Sequence, residues 1–459
     1  MRLHFLLSVF AAIGAANAHN LHHAAAKHQA TGSNTSSSSP SSSSSASAAS
    51  ASGSSTSSSS GGGGSASNIV EVPPLNEITL GMPTGTVWAA STTYNAGTKP
   101  TISGIDNAPN MPAFVFQPDQ WPTQDKPPPT DSEQVKVWMK ELEGHNIPDL
   151  KPTTDGTCLA DADLAKDAES RGWWTCGGWT RSTDIVACKD KLTWGVSFDD
   201  GPSPYTPKLL KYLDEKDISA TFFVVGSRVI ERPAILRQEY MSGHEISVHT
   251  WSHTHLTTQT TEQIVAELGW TRSAIQAVLG VTPTTMRPPY GDIDDRVRAI
   301  SLAMGMVPIM WTRTQAATFD TNDWGVAAGL MTGEECIQTF NAILGNASQL
   351  DTGMIVLAHD LFEITVDLNV GFNLEAAQSH NPAFTLKAIG QCMNLPPTDL
   401  YRETNTNKTF PGTKENFDVD GDGKADTALV DSVSDAAVMA TSCSLAMLTG
   451  FFAVLVGLV

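Results

Sequence analysis

Residues 194–202 read WGVSFDDGP, a nearly continuous apolar run that ends in two aspartates and a Gly-Pro pair. A short apolar run bounded by turn residues predicts a strand buried on both faces of a sheet. Four later stretches have the same character. The five predicted strands are Trp194–Phe198, Thr221–Val225, Ile246–Val248, Val307–Trp311 and Met354–Leu357.

Helical patterns separate these runs. The clearest covers Thr260 to Leu279, where Thr260 and Gln263 match a capping box and Gly280 stands where a C-terminal glycine belongs. Two more predicted helices cover residues 292–304 and 333–344. Alternating strands and helices imply one parallel α/β domain, which we place at residues 191–395. In a parallel barrel the catalytic residues lie at the carboxyl ends of the strands.

Two polar clusters directly follow predicted strands. Asp199 and Asp200 lie on the Gly-Pro turn described above, although an ordinary Asp-Gly turn would look the same. His249 and His253 are spaced to share one face of a helical turn and one metal ion. The alternative interpretation is two surface histidines, or one histidine satisfied in the core. One aspartate and two histidines make a three-ligand site with a position left for water, as in catalytic zinc sites.

Three other clusters are weaker when taken singly. Residues 287–291 read RPPYG, a stiff turn on which Arg287 can orient a carboxylate by bidentate hydrogen bonds. Residues 320–324 read DTNDW, and residues 357–360 read LAHD at the end of a predicted strand. His359 in that last cluster suits a proton donor. A rigid turn and a structural histidine are the alternative interpretations.

Together, the five clusters resemble the polysaccharide deacetylases of carbohydrate esterase family four, the NodB-homology group. The motifs that carry the resemblance, in the family's order, are SFDDG at 197–201, HTWSH at 249–253, RPPYG at 287–291, DTNDW at 320–324 and LAH at 357–359. Ser197 replaces the family's usual threonine but keeps a hydroxyl. The resemblance implies a distorted (β/α) barrel and an enzyme that removes acetyl groups from a polysaccharide.

The resemblance also implies roles for individual residues. Asp200, His249 and His253 hold one divalent metal, usually zinc, although such ligands also suit cobalt or manganese. Asp199 is the general base and His359 the general acid. The supporting roles that it implies are Arg287 orienting Asp199, Asp323 tuning His359, the backbone N–H of Tyr290 holding the oxyanion, and Trp324 and Leu357 lining the pocket for the acetyl methyl.

Members of this family act on chitin, peptidoglycan or acetylated xylan. We expect cell-wall chitin or chitooligosaccharides, because the terminal signals look eukaryotic and the flanking cysteines resemble those of fungal chitin deacetylases. An O-acetyl xylan esterase and a non-catalytic wall-binding protein are the alternatives. A binding protein would be expected to lack part of the site, whereas every motif residue is present here.

The start of the chain predicts export. Residues 1–18 contain Arg2, a short apolar stretch and a small-residue cleavage pattern, as in a signal peptide. Residues 19–67 are dominated by Ser, Ala and Gly, and such a segment buries too little apolar surface to fold. We therefore expect a disordered stalk.

The end of the chain predicts a lipid anchor, and with it a membrane partner. Ser432 and Ser434 are the candidate attachment residues, and residues 435–459 form a removable signal, with a spacer and then an apolar tail from about Leu445. The alternative is a transmembrane helix, but no basic residue follows the tail to hold it in place. We expect a protein of the cell surface.

Three segments flank the predicted domain. Residues 68–150 are proline-rich and are interpreted as a pro-region or an irregular wrap, and residues 151–190 are a lead-in with three cysteines and three tryptophans. Residues 396–434 are a spacer. Within it, residues 418–426 resemble the start of a calcium loop, but Leu429 stands where a glutamate is expected, which favours a solvated acidic segment.

Cysteines, sequons and charge complete the picture. One of the six cysteines lies in the tail, so five remain, and export favours disulfides. The pairing that we expect, which spacing alone leaves open, is Cys158 with Cys176 and Cys188 with Cys392, with Cys336 free. The candidate glycosylation sites are Asn34, Asn346 and Asn407. The net charge of −20 argues against nucleic acid as a partner.

Overall fold

The computed structural model describes residues 70–78, 87–411, 414–417 and 426–428. Several predictions from the sequence fall outside these residues and are not addressed by the structure. They concern the signal peptide at 1–18, the stalk at 19–67, Asn34, the calcium-like residues 418–425, Ser432, Ser434 and the tail at 435–459.

Two parallel sheets form the centre of the described fold. The strands are β1 Thr193–Gly195, β2 Ser197–Asp199, β3 Thr221–Val224, β4 Glu245–Val248, β5 Thr285–Met286, β6 Val307–Pro308, β7 Met354–Ile355 and β8 Thr385–Lys387. One sheet has the order β2-β3-β4-β5-β6 and the other has the order β7-β1-β8. A separate antiparallel pair follows, formed by β9 Lys414–Phe417 and β10 Asp426–Ala428.

Backbone contacts close the five-stranded sheet on itself. The chain that leaves β6 bonds to β7, because the N–H of Thr312 donates to the carbonyl of Ile355 at 3.0 Å. The chain that leaves β7 then pairs in parallel with β2, through Asp199 and His359. The ring of strands is therefore a distorted parallel barrel, which confirms the predicted α/β class.

Helices alternate with the strands. They are α1 Glu133–Met139, α2 Ala168–Arg171, α3 Thr206–Lys216, α4 Gly226–Glu231, α5 Pro233–Met241, α6 Thr261–Leu279, α7 Asp295–Ala303, α8 Asp323–Ala327, α9 Gly333–Ala347, α10 Glu363–Leu368, α11 Leu374–Ser379 and α12 Ile389–Cys392. A π-helical stretch, Asn369–Asn373, joins α10 to α11.

Helix α6 shows why the sequence specified its ends so clearly. The side chain of Thr260 accepts from the N–H of Gln263, and the side chain of Gln263 accepts from the N–H of Thr260, so the predicted capping box is confirmed. Gly280 ends the helix with a left-handed φ of 84°. Gly269 is needed in mid-helix, because a Cβ there would lie 2.2 Å from the ring of Trp138.

Some predicted boundaries were wrong. β6 ends at Pro308 rather than at Trp311, because the following residues bond singly to other segments, as Ile309 does to Ile185. α7 begins at Asp295 rather than at residue 292, because the side chain of Asp294 caps it by accepting from the N–H of Val297. The short strand β5 was not predicted at all.

Residues 87–150 lie against helices α5 and α6. Arg237 of α5 donates to the carbonyl of Tyr94 at 3.0 Å. Trp138 packs edge-to-face on Trp270 of α6, with ring centroids 5.4 Å apart. Residues 87–150 therefore make both polar and apolar contacts with the α/β domain.

Two disulfides, Cys158–Cys176 and Cys188–Cys392, form with the pairing that was expected. The second bond joins the chain ahead of β1 to α12. Cys336 is a buried free thiol. None of the helices in the described part of the chain has the length and apolar character needed to cross a membrane.

Candidate active site

The candidate residues meet because three parallel strands of one sheet end at the same edge of the barrel. β2 ends at Asp199, with Asp200 next in the chain. β4 and β5 end immediately before His249 and Arg287. Paired parallel strands carry these residues to the same end of the sheet, as the sequence analysis anticipated.

Asp200, His249 and His253 form a compact cluster in which one donor atom from each residue lies within 4.8 Å of the others. Nε2 of His253 is 2.9 Å from Oδ1 of Asp200, and Nε2 of His249 is 3.4 Å from the same oxygen. All three residues are buried. Within the described residues this is the one such group of three donors.

Hydrogen bonds on the far side of each ring make these histidines suitable ligands. Nδ1 of His249 lies 2.8 Å from the carbonyl of Arg287, which can only accept, so Nδ1 carries a proton and Nε2 is the atom left to bind a metal. Nδ1 of His253 lies 3.1 Å from the hydroxyl of Tyr290. Burial lowers the pKa of His253 to about 3, against the raising effect of Asp200, which favours the neutral imidazole. The three residues therefore fit one divalent metal ion.

The expectation of a helical turn at the metal ligands was wrong. Residues 249–253 form a loop, in which Thr250 and His253 take left-handed φ angles of 63° and 56°. Such angles are costly for residues with side chains and persist only where neighbouring contacts impose them. The spacing of four brings the imidazoles together through this bent loop instead.

Asp199 lies beside the cluster and is held by Arg287. Nη1 of Arg287 donates to Oδ1 of Asp199 at 2.6 Å and to the hydroxyl of Ser197 at 3.0 Å. The structure shows one hydrogen bond to Asp199 rather than the expected bidentate pair, and Nε of the same guanidinium donates to the carbonyl of Ile309. The guanidinium also lies over the ring of Phe223, 3.9 Å from its centroid. Oδ2 of Asp199 is 3.8 Å from Nε2 of His249.

His359 is paired with Asp323. Nδ1 of the imidazole donates to Oδ1 of Asp323 at 2.7 Å, and Oδ2 of Asp323 accepts from the backbone N–H of His359 at 2.9 Å. Burial alone would lower the pKa of His359, but the charge and hydrogen bond of Asp323 outweigh it and raise that pKa to about 10. The imidazole is therefore protonated at neutral pH.

The residues expected to contact substrate have varied surroundings. Tyr290 has a left-handed φ of 60°, and its ring stacks on His255 with centroids 4.1 Å apart. Trp324 is half-buried, and its indole N–H lies 3.4 Å from Oδ2 of Asp320. Leu357 is 6% exposed and accepts a backbone hydrogen bond from Thr321.

Sequence reasoning missed two buried carboxylates, one that bonds the histidine loop and one that bonds the chain just after it. Glu267 of α6 accepts from the backbone N–H groups of Trp251 and Ser252, at 2.8 and 2.9 Å. Asp292 accepts from the backbone N–H and the hydroxyl of Thr257, at 3.0 and 2.7 Å. A charged residue among the apolar positions of a helix was the available signal for Glu267, because such a side chain needs buried partners.

The two glycosylation candidates within the described residues differ. Asn346 is exposed near the end of α9. Asn407 is half-buried, and its Nδ2 donates to Oδ2 of Asp399 at 2.6 Å. Asn346 is therefore the more accessible of the two.

Hydrolysis of an amide or ester needs an activated water, a base and a proton donor. The three-donor cluster can hold a metal that activates water. Asp199 can act as the base, and the protonated His359 can act as the proton donor. The fold and the site therefore define a metal-dependent hydrolase.

Comparison with known proteins agrees with this class. The profile described as "Polysaccharide deacetylase" matches residues 187–309. "Chitin deacetylase 1" of Cryptococcus neoformans var. grubii is 50% identical over 343 residues, which are 74% of this chain and 72% of that protein. The chain therefore belongs to the polysaccharide deacetylase family.

Two other similar proteins come from other fungi. "Chitin deacetylase" of Amylomyces rouxii is 31% identical over 278 residues, covering 57% of this chain and 64% of that protein. The solved structure of the chitin deacetylase from the fungal pathogen Colletotrichum lindemuthianum is 25% identical. It covers 48% of this chain and 95% of that one, with a TM-score of 0.44.

Proposed function

We propose that this enzyme hydrolyses the N-acetyl groups of cell-wall chitin to give chitosan and acetate. The choice of substrate is supported by the Cryptococcus and Amylomyces relatives, which are both named chitin deacetylases. The reaction rests on one structural observation. The site combines the three-donor cluster with a carboxylate held by Arg287 and with an imidazole whose pKa is raised to about 10, mainly by Asp323.

The metal would be held by Asp200, His249 and His253, and we propose zinc, with cobalt and manganese as alternatives. When bound, a divalent ion lowers the pKa of a coordinated water and polarises a carbonyl oxygen. Elemental analysis of the purified protein identifies the ion. One equivalent of a single metal is the expected result.

Asp199 serves as the general base. Arg287 fixes its Oδ1, so that the carboxylate keeps one orientation, and its Oδ2 lies on the side of the cluster, 3.8 Å from Nε2 of His249. From there it takes a proton from the attacking water. Ser197 supports the same arrangement by accepting from Nη1 of Arg287.

His359 serves as the general acid. Since its Nδ1 is occupied by Asp323, its Nε2–H is the proton available for the departing amine of glucosamine. A raised pKa keeps that proton in place at neutral pH. An amine needs this donation because it is a poor leaving group without a proton.

Tyr290, Trp324 and Leu357 complete the proposed pocket. The left-handed backbone at Tyr290 is an unusual conformation for a residue with a side chain, of the kind that often marks functional turns. We assign its backbone N–H to the oxyanion of the tetrahedral intermediate. Trp324 and Leu357 provide apolar surface for the acetyl methyl.

Acetate release by the purified full-length protein tests the function. Soluble chitin oligomers and acetylated xylan are supplied in parallel, before and after chelation and after zinc is restored. Chelator-sensitive release from chitin, recovered with zinc, is expected. Release from xylan alone would replace the chitin assignment, and no release from either substrate by metal-loaded protein would contradict the enzyme.

We infer that the enzyme acts at the cell surface, attached through a lipid anchor at Ser432 or Ser434. Two disulfides support an extracellular setting. Phospholipase treatment of intact cells should release the protein, and mass spectrometry of its C-terminal peptide identifies the attachment residue. A double variant, Ser432→Leu with Ser434→Leu, should leave the cells without phospholipase treatment. Full retention of this variant at the cell surface would contradict the anchor.

A further inference from the structure

We propose that Glu267 is a positioning residue for the metal site, which it assembles by holding the loop between the two histidine ligands. The loop in question is residues 249–254, called the metal loop below. This inference rests on the metal site of the proposed function. It assigns a role to a residue that touches neither the metal ligands nor the reacting atoms.

The contacts of Glu267 converge on the metal loop. Oε2 accepts from the backbone N–H groups of Trp251 and Ser252, and Oε1 accepts from the hydroxyl of Ser252 at 2.5 Å. The hydroxyl of Thr254 lies 3.4 Å from Oε1. Trp251 and Ser252 stand between His249 and His253 in the chain, so one carboxyl group holds the link between both ligands.

The opposite edge of the metal loop is held by helix α4. The carbonyls of Thr250 and Trp251 accept from the backbone N–H groups of Gly226 and Ser227, at 2.9 and 3.2 Å. The loop is thus bound through its carbonyls on one side and through its N–H groups on the other. Only the second set depends on a side chain, that of Glu267.

The metal loop needs such support because its shape is strained. Thr250 and His253 have left-handed φ angles, which residues with side chains avoid unless surrounding contacts impose them. If the N–H groups of residues 251 and 252 lost their acceptor, they would be buried without partners. The loop would then relax, and the imidazole of His253 would leave its place next to Asp200.

Glu267 is well placed for a role based on hydrogen bonds rather than on charge. It is fully buried, and burial raises its pKa to about 7 against the lowering effect of the bonds from Ser252 and Trp251. Glutamine has the same shape and can make the same kinds of hydrogen bond to the loop. The amide oxygen would accept from the two backbone N–H groups while Nε2 donates to the hydroxyl of Ser252.

The test compares Glu267→Met with Glu267→Gln in the full-length protein. Methionine keeps the length of the side chain but offers no comparable acceptor. We expect Glu267→Met to weaken Co²⁺ and Zn²⁺ binding by about 10- to 100-fold, and to alter the visible absorption spectrum of bound Co²⁺. Glu267→Gln should restore most of the affinity and the native spectrum.

Glu239 of α5 provides a matched control. It is also fully buried with its pKa raised by burial, yet among the residues that the structure describes its carboxyl oxygens have no hydrogen-bond partner. Glu239→Met should bind both metals as the unaltered protein does. If it weakened binding as much as Glu267→Met, the effect would be a general one of buried substitution and the proposal would be wrong.

Other outcomes are equally decisive. Glu267→Met that folds and binds metal with native affinity would overturn the proposal. Should that variant not fold, Ser252→Ala decides, because it removes the 2.5 Å bond alone and should weaken metal binding severalfold. Native affinity in Ser252→Ala would then count against the proposal. If the unaltered protein bound neither metal, the proposed metal site itself would be wrong.

Discussion

His253 and His359 belong to one site, yet their surroundings shift their pKa values in opposite directions. Burial dominates at His253 and lowers its pKa to about 3, which leaves a neutral ring able to donate a lone pair. At His359 the carboxylate of Asp323 outweighs burial and raises the pKa to about 10. The ring nitrogens on the far side of the site also differ in their partners, since Nδ1 of His253 faces a neutral hydroxyl and Nδ1 of His359 faces a carboxylate.

The partner of Nδ1 therefore contributes to the chemistry of each ring. A neutral partner permits ligation of a cation, whereas an anionic partner stores a proton. The site thus separates two tasks. The metal face consists of Asp200, His249 and His253, and the acid face consists of His359 with Asp323. Each face should respond to a different substitution.

The largest effect is expected from removing a metal ligand. His249→Ala should lose both the bound metal and the activity, because the ion and the water that it activates are lost together. Metal content by elemental analysis and acetate release are the two measurements. A variant that kept native metal content would show that His249 is not a ligand.

Asp199→Asn tests whether the base is separable from the metal face. The variant should retain its metal, because Asp199 is not part of the three-donor cluster. Its turnover should fall by about 10²- to 10⁴-fold, as expected for the loss of a general base. Full activity in this variant would overturn the assignment of the base.

Much of this site could be predicted from the sequence because the catalytic motifs are local. Asp199 and Asp200 are adjacent, and each histidine motif directly follows an apolar run, so the barrel edge could be inferred from strand ends alone. Helix α6 was equally clear, since its capping box and terminal glycine are interactions within a few residues of the chain.

Features that depend on tertiary contacts could not be predicted. The bent loop that carries His253 depends on Glu267 and on helix α4, which lie elsewhere in the chain. The single hydrogen bond from Arg287 to Asp199, and the separate bond from Nε of Arg287 to the carbonyl of Ile309, likewise depend on how distant segments pack. β5 has only two residues, too few to show a periodicity.

Asp323→Asn should make the surroundings of His359 resemble those of His253, in which Nδ1 has a neutral partner. Without the carboxylate, the charge and hydrogen bond that raise the pKa of His359 most strongly are lost, so that pKa should fall. Activity falls as pH rises through the pKa of the acid, so the alkaline limb of the rate profile should move to lower pH. We expect about a 10²-fold loss of kcat at neutral pH, with metal content unchanged. An unmoved alkaline limb would contradict the role of Asp323.

Tyr290→Phe is the corresponding change on the metal face, and its effect should be the smallest. It removes the hydroxyl that lies 3.1 Å from Nδ1 of His253 but keeps the ring that stacks on His255 and the backbone N–H. Zinc affinity should fall by about tenfold, since the partner of a ligating histidine fixes its orientation. With zinc in excess, the alkaline limb should stay in place, because His359 and Asp323 are untouched. A shift of that limb would mean that the two histidine environments are coupled, and that the separation of metal face from acid face is incomplete.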